Sequence, residues 1–334
     1  MSNPFLTSSA KPGRGTIHLA LLPPDTPRLR TASYQYPLKL VSPAPTRSAN
    51  DEPVLVHTVY LLTYGGGLVA GDGIDLGVTL EPTTRLVLLT QGSTKLFKAP
   101  TRDILTQQRM TVHLAPGSAL CYLPDPVQPF ADSCFEQSQV YHVPAPGESA
   151  SNAANICALD WVCNGRPANG EDWSFFRYGS RNEIYLDSAV KKPRLLVRDN
   201  VLLDDHDREG SIAARMHSLA AFGTLIIYGP MFKQLGQYFM DEFKALPRIG
   251  GRRWDSGSES GDEEVDPMLV RRLERQRQFP AAGLLWSSAS VRDCVIVKFG
   301  VTSVESGKRW LKSMLTEEGS LVREFGERAL LCLR

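Results

Sequence analysis

The chain lacks any run of eighteen apolar residues, which excludes a helix that crosses a bilayer. Its opening residues, MSNPFLTSSAKPGRG, hold no apolar stretch of the kind a secretory leader needs, and a disordered tail is expected over 1–14. Excess charge is missing too. The 37 basic and 36 acidic residues leave a formal net charge of +1, which favours neither nucleic acid nor an anionic membrane as a partner. Six cysteines are scattered without a C-x-x-C, so a zinc ribbon is excluded. That pattern fits reduced thiols filling the core of a cytoplasmic protein. G-x-x-x-x-G-K-[ST] is absent, and with it a P-loop. So are G-x-S-x-G and H-E-x-x-H, and the six histidines contain no pair at helical ligand spacing, so no hydrolase or zinc centre is written locally.

What is present is a long series of strand-like runs. Hydrophobic residues make up 42% of the 334, enough for a large core. Short apolar or alternating segments fall at 15–22, 38–41, 54–64, 74–80, 85–90, 106–114, 119–123, 133–143, 156–163, 175–187 and 194–203, with turn residues between them. Segment 54–64 is apolar on both faces, as strands covered on both sides are. Segment 106–114 alternates, with Met110, Val112 and Leu114 on one face and Arg109, Thr111 and His113 on the other. Helical spacing appears only late. It is expected over 231–246, 267–278, 304–315 and 321–331, with a short helix or irregular segment at 211–221. A strand at 223–228 and a hairpin from 283–290 and 293–301 complete the second half. The fold class is therefore mainly β, a single domain over 15–334 with a few helices in the C-terminal third. The stretch 248–266 is rich in Gly, Ser and charge and is expected to be a mobile, solvated loop.

The most distinctive stretch is 64–98. Gly65, Gly66 and Gly67 end an apolar run, Gly71-Asp72-Gly73 follows, and Thr90-Gln91-Gly92-Ser93-Thr94-Lys95 closes it. Gly65-x-Gly67-x-x-Ala70 meets the loose dinucleotide fingerprint, but that fingerprint must open a helix. Here Gly71-Asp72-Gly73 breaks the helix and 74–80 continues as a strand. A glycine-bulged strand-turn-strand explains the same residues without a ligand.

Taken with Leu123-Pro124-Asp125…Pro129-Phe130 and Gly165-Arg166-x-x-x-Gly170-Glu171, these blocks resemble the urease accessory proteins of the UreD (UreH) family, in their order and at about their spacing. The wording LPDPVQPF looks like the eukaryotic branch. The resemblance runs over about 16–334. It implies a distorted β-helix-like (β-solenoid) body with helices near the C-terminus. It also implies a non-enzymatic role as scaffold and nickel conduit in urease maturation, beside a UreF-type helical protein, a UreG-type GTPase and apo-urease. No tightly bound cofactor is implied, only transient Ni²⁺.

By resemblance Asp72 takes the place of the family's GGD aspartate and Glu171 that of its GE glutamate. Many bacterial members read Pro-Gln-Glu where this chain reads Pro124-Asp125-Pro126, so Asp125 either substitutes for that glutamate or stands at a dispensable point. Spaced carboxylates would hold Ni²⁺ weakly and let it pass. Lys95 offers a cation to pair with one of them. The structural reading of all three carboxylates is turn capping through backbone N–H groups. Two further functions stay open. One is a β-solenoid carbohydrate hydrolase with Asp72 and Glu171 as acid and base. The other is a metal-free scaffold.

Overall fold

A computed structural model of the protein describes residues 11–50, 52–145, 153–188, 192–206, 210–247 and 267–334. The loop expected over 248–266 lies outside the described residues, as does the tail expected over 1–14 for all but its last four positions.

From residue 55 to 187 the chain passes back and forth between two sheets. Leu55–Thr63, Arg85–Leu89, Ala119–Tyr122 and Asn155–Cys163 lie side by side in what is here the second sheet, and the strands that alternate with them form the first. Gly73–Leu80, Thr106–Leu114, Cys134–Pro144 and Arg177–Asp187 alternate with them in sequence and lie side by side in the other. Within each set the neighbours are parallel. Parallel neighbours cannot be joined by a tight hairpin; here each crossover runs through the opposite sheet. The first sheet is closed at its ends by the antiparallel strands Thr26–Tyr34, beyond Arg14–Leu22, and Arg194–Asp204. The second is extended by Ala221–Tyr228, Cys294–Val301 and Leu285–Val291.

Helices cover the far side of the second sheet. They are α2 (Lys233–Lys244), α3 (Pro267–Ala281), α4 (Val304–Glu318) and α5 (Ser320–Phe325), whereas the short α1 (Ile212–Met216) packs Ile212 and Met216 into the core between the sheets. The second sheet thus has a core on each side, and its strands read apolar on both faces for that reason. Every residue of Asn155–Cys163 is buried. Ile156, Ala158 and Val162 face the first sheet. Cys157, Leu159, Trp161 and Cys163 join the helix-side core with Phe239, Trp310 and Phe325. The first sheet has only one covered face, and the alternation in Thr106–Leu114 comes out as expected, with Met110, Val112 and Leu114 buried and Arg109 and His113 exposed. All six cysteines are buried and free; burial pushes the Cys157 thiol up to about 12.

Several elements differ from the sequence reading, among them the short strands Thr46–Arg47 and Thr94–Leu96. Thr26–Tyr34 is a strand that was not expected. Pro27, the charged Arg28 and Arg30 and the hydroxyl residues Thr26, Thr31 and Ser33 mask it, as an edge strand permits. The helix expected over 321–331 stops at Phe325, because Gly326 takes φ +76° and redirects the chain into a tighter turn over Glu327–Leu333. Val127–Pro129, expected as loop, makes a short strand.

Candidate functional site

The glycine block builds a rim turn. Gly65 and Gly66 stand at φ +72° and +75°, which only glycine adopts without strain. Gly67 then approaches the strand Thr94–Leu96 so closely that a Cβ would lie 2.5 Å from the Lys95 carbonyl oxygen. Asp72 works within this turn. Its Oδ2 accepts from the Val69 N–H at 2.8 Å, its own amide donates to the Val69 carbonyl at 2.9 Å, and its carbonyl accepts from the Gln107 N–H at 2.9 Å. The carboxylate caps the turn and the turn docks the strand Thr106–Leu114.

Glu171 is committed to another turn. Gly165–Arg166 pairs antiparallel with Glu171–Asp172 across the turn Pro167–Asn169. The Arg166 guanidinium grips both Glu171 oxygens, with Nε donating at 2.9 Å and the second bond running from its terminal nitrogen to Oε1. The Ala131 N–H donates to the same carboxylate at 3.1 Å. Arg166 also lies 3.8 Å above the Phe130 ring. The Arg166 bonds hold the Glu171 carboxyl below the ordinary glutamate range. These contacts clamp the 130s loop to the turn and leave Glu171 little capacity for anything else.

Asp125 is placed differently. It is 7% exposed and sits where the two sheets open toward α4 and the C-terminal turn. Its Oδ2 accepts from the Thr90 hydroxyl at 3.1 Å and from the Gly92 N–H at 2.9 Å. Its Oδ1 pairs with Lys308 Nζ of α4 at 2.7 Å. Lys95 does not supply this cation. It is exposed, and among the described residues its ammonium has no ion pair, because its strand points it outward while α4 carries Lys308 in from a distance of 183 residues. The neighbouring Pro124 carbonyl accepts from Trp161 Nε1 at 2.9 Å, which fixes the proline-broken loop to the central sheet.

Behind Asp125 lies a polar cluster that sequence reasoning missed. Asp160, on the central strand and facing the first sheet, is 8% exposed. Its oxygens accept from Gln137 Nε2 at 2.5 Å, from Asn182 Nδ2 at 2.6 Å and from the Ser180 hydroxyl. Burial pushes its carboxyl up, against the pull of these bonds. The signal was a single aspartate in the both-face-apolar run ICALDWVC, since a carboxylate there must be buried. Lys308 and Gln137 had no comparable signal.

Three cavities have wall residues in common in this region. The central one, of about 30 Å³, lies between the sheets and is walled by Thr90, Asp125, Gln137, Gln139 and Asp160 among others. That is room for about two water-sized occupants. An open groove of about 650 Å³ shares the walls Leu62, Thr90 and Asp125 with it, and also holds Gln91, Lys308 and Cys332. A third, of about 300 Å³, shares Gln108, Arg109 and Gln137 with the central cavity. Asp72 and Glu171 line none of the three.

The geometry defines a mainly β protein whose two sheets enclose an apolar core with one buried polar cluster in it. Comparison supplies its family. The family model for the UreD urease accessory protein matches residues 13–330. The chain belongs to the UreD family. It is 31% identical to urease accessory protein 4 of Cryptococcus neoformans, over 92% of this chain and 90% of that protein. It is 31% identical to urease accessory protein D of Arabidopsis thaliana, over 71% of this chain and 77% of that one. A ureD-like protein of Schizosaccharomyces pombe is 26% identical over 86% of this chain and 88% of its own length. Among the described residues no helix is long and apolar enough to cross a membrane.

Proposed function

We propose that the chain is a cytoplasmic scaffold and nickel conduit for maturation of the dinuclear nickel centre of urease. It acts with a UreF-type accessory protein, a UreG-type GTPase and apo-urease, and has no turnover of its own. The observation that carries this reading is Asp125, which walls both the open groove and the cavity between the sheets. A cation entering from the groove meets this carboxylate first and Asp160, with its amide and hydroxyl companions, next. Ni²⁺ accepts oxygen ligands of this kind. Lys308 occupies Asp125 when no metal does, so an arriving ion replaces one cation with another. That exchange keeps binding weak enough for release, the condition for conduction. The winding of the chain between two parallel sheets supports the β-helix-like body that the family resemblance implies.

Of the carboxylates first singled out, Asp125 carries the route in this proposal, and Asp72 and Glu171 hold the turns that frame it. The hydrolase alternative loses support, because Asp72 and Glu171 belong to separate turns and each is already engaged, Glu171 by Arg166. The test is the nickel content of urease purified from cells lacking this gene, with and without its restoration. Nickel-poor urease without the gene and full occupancy with it are expected. Equal nickel occupancy in the two would defeat the conduit, and leave at most a scaffold.

A further inference from the structure

Three of the chain's six histidines stand at one level on the outer, uncovered face of the first sheet. The parallel register sets His18 beside Thr79, Thr79 beside His113, His113 beside His142 and His142 beside Tyr185. The His113 and His142 rings stack with centroids 4.6 Å apart and planes 19° apart, and Tyr185 stacks against His142 at 5.6 Å. Asp187, two residues past Tyr185 and so on the same face, pairs with His142 Nδ1 through Oδ1 at 2.9 Å. One potential ligand atom from each of His113, His142 and Asp187 lies within 4.8 Å of the others.

We infer that His113, His142 and Asp187 form a surface site for a first-row divalent transition metal ion of the zinc or nickel kind. Two imidazole nitrogens and one carboxylate oxygen are the donors such ions take, whereas Mg²⁺ and Ca²⁺ prefer oxygen alone. Three adjacent parallel strands carry one ligand each, so the backbone spacing is fixed by the ladder. Bringing each donor to about 2.1 Å from an ion needs only side-chain rotation, which the exposed His113 can make. Solvent completes the shell on the open side. The site is on the opposite face of the sheet from the interior cavity and does not depend on the conduit reading. Sequence spacing could not show it, since 29 residues separate the two histidines and only the parallel register joins them.

The experiment titrates Zn²⁺ and, separately, Ni²⁺ into the full-length protein. Calorimetry reads Zn²⁺ affinity and ring-proton NMR reads where paramagnetic Ni²⁺ goes. Ni²⁺ should broaden the His113 and His142 signals ahead of those of His18 and His206. One Zn²⁺ equivalent should weaken by about tenfold or more in His142→Gln, in His113→Gln and in Asp187→Asn, while Asp125→Asn keeps it and Mg²⁺ does not compete. Uniform broadening of all histidines, or an equivalent that survives the histidine substitutions, would overturn the site. So would an equivalent lost in Asp125→Asn, which would place the ion in the interior. Should a variant fail to fold, the order of broadening in the wild type decides alone.

Discussion

Asp160 and Trp161 are adjacent in one strand and face opposite cores. On the helix side, Trp161 packs against Phe299 at 6.0 Å, within an aromatic group that includes Phe239, Trp286 and Trp310. Its one polar atom is satisfied by the Pro124 carbonyl. On the sheet side, Asp160 is equally enclosed but surrounded by Gln137, Ser180 and Asn182. A buried carboxylate is costly, and three donors offset that cost without making the cluster better for stability than apolar packing would be. The helix-side core is explained by stability. The sheet-side cluster is not, and it lines the cavity between the sheets.

Substitutions on the two faces should separate along that line. The largest loss is expected for Trp161→Ala, about 3–5 kcal/mol in urea unfolding, from a cavity in a close-packed core. A smaller loss than about 1 kcal/mol would mean that the helices are loosely docked. Asp160→Ala should cost about 3 kcal/mol, because Gln137, Ser180 and Asn182 lose their acceptor. The pH dependence of Asp160 has a definite sign. Its carboxyl is raised by burial, so its contribution is fully present below the ordinary value of 3.8 and is lost as pH rises through the folded value. Wild type should therefore lose stability relative to Asp160→Asn on raising the pH from there, and an opposite slope would contradict the burial argument. Lys308→Met leaves Asp125 with only its Thr90 and Gly92 donors and should cost about 2 kcal/mol. The smallest effect belongs to the rim. Glu171→Gln should cost under about 1 kcal/mol at neutral pH. The Glu171 carboxyl is held low, so its contribution is present above 4.5 and lost as pH falls. The difference between variant and wild type should vanish in acid, and a pH-independent difference would mean that the Arg166 pairing is not its source.

The same contrast explains what could be read from sequence. Turn motifs are legible because glycine and proline impose local geometry: Gly65–Gly67, Gly71-Asp72 and Gly165…Gly170 all form turns. Those motifs drew attention to Asp72 and Glu171, whose contacts are local for the same reason. The strand series and α2, α4 and the final hairpin were legible from periodicity, which survives because each sheet or helix has a definite covered face. The cluster around Asp160 was not legible. Its members come from three strands, and only the parallel register of Cys134–Pro144 with Arg177–Asp187 sets Gln137 beside Ser180. Lys308 reaches Asp125 from a helix far along the chain, so proximity in sequence pointed instead to Lys95.

The most direct test of the central claim compares Asp125→Asn with Asp72→Ala in cells deleted for the chromosomal copy, reading urease activity at matched levels of urease and of this protein. The conduit through Asp125 predicts that Asp72→Ala restores activity as wild type does, whereas Asp125→Asn leaves urease largely inactive. Full activity with Asp125→Asn would contradict the route. Failure of Asp72→Ala alone would move the functional carboxylate from the interior to the rim.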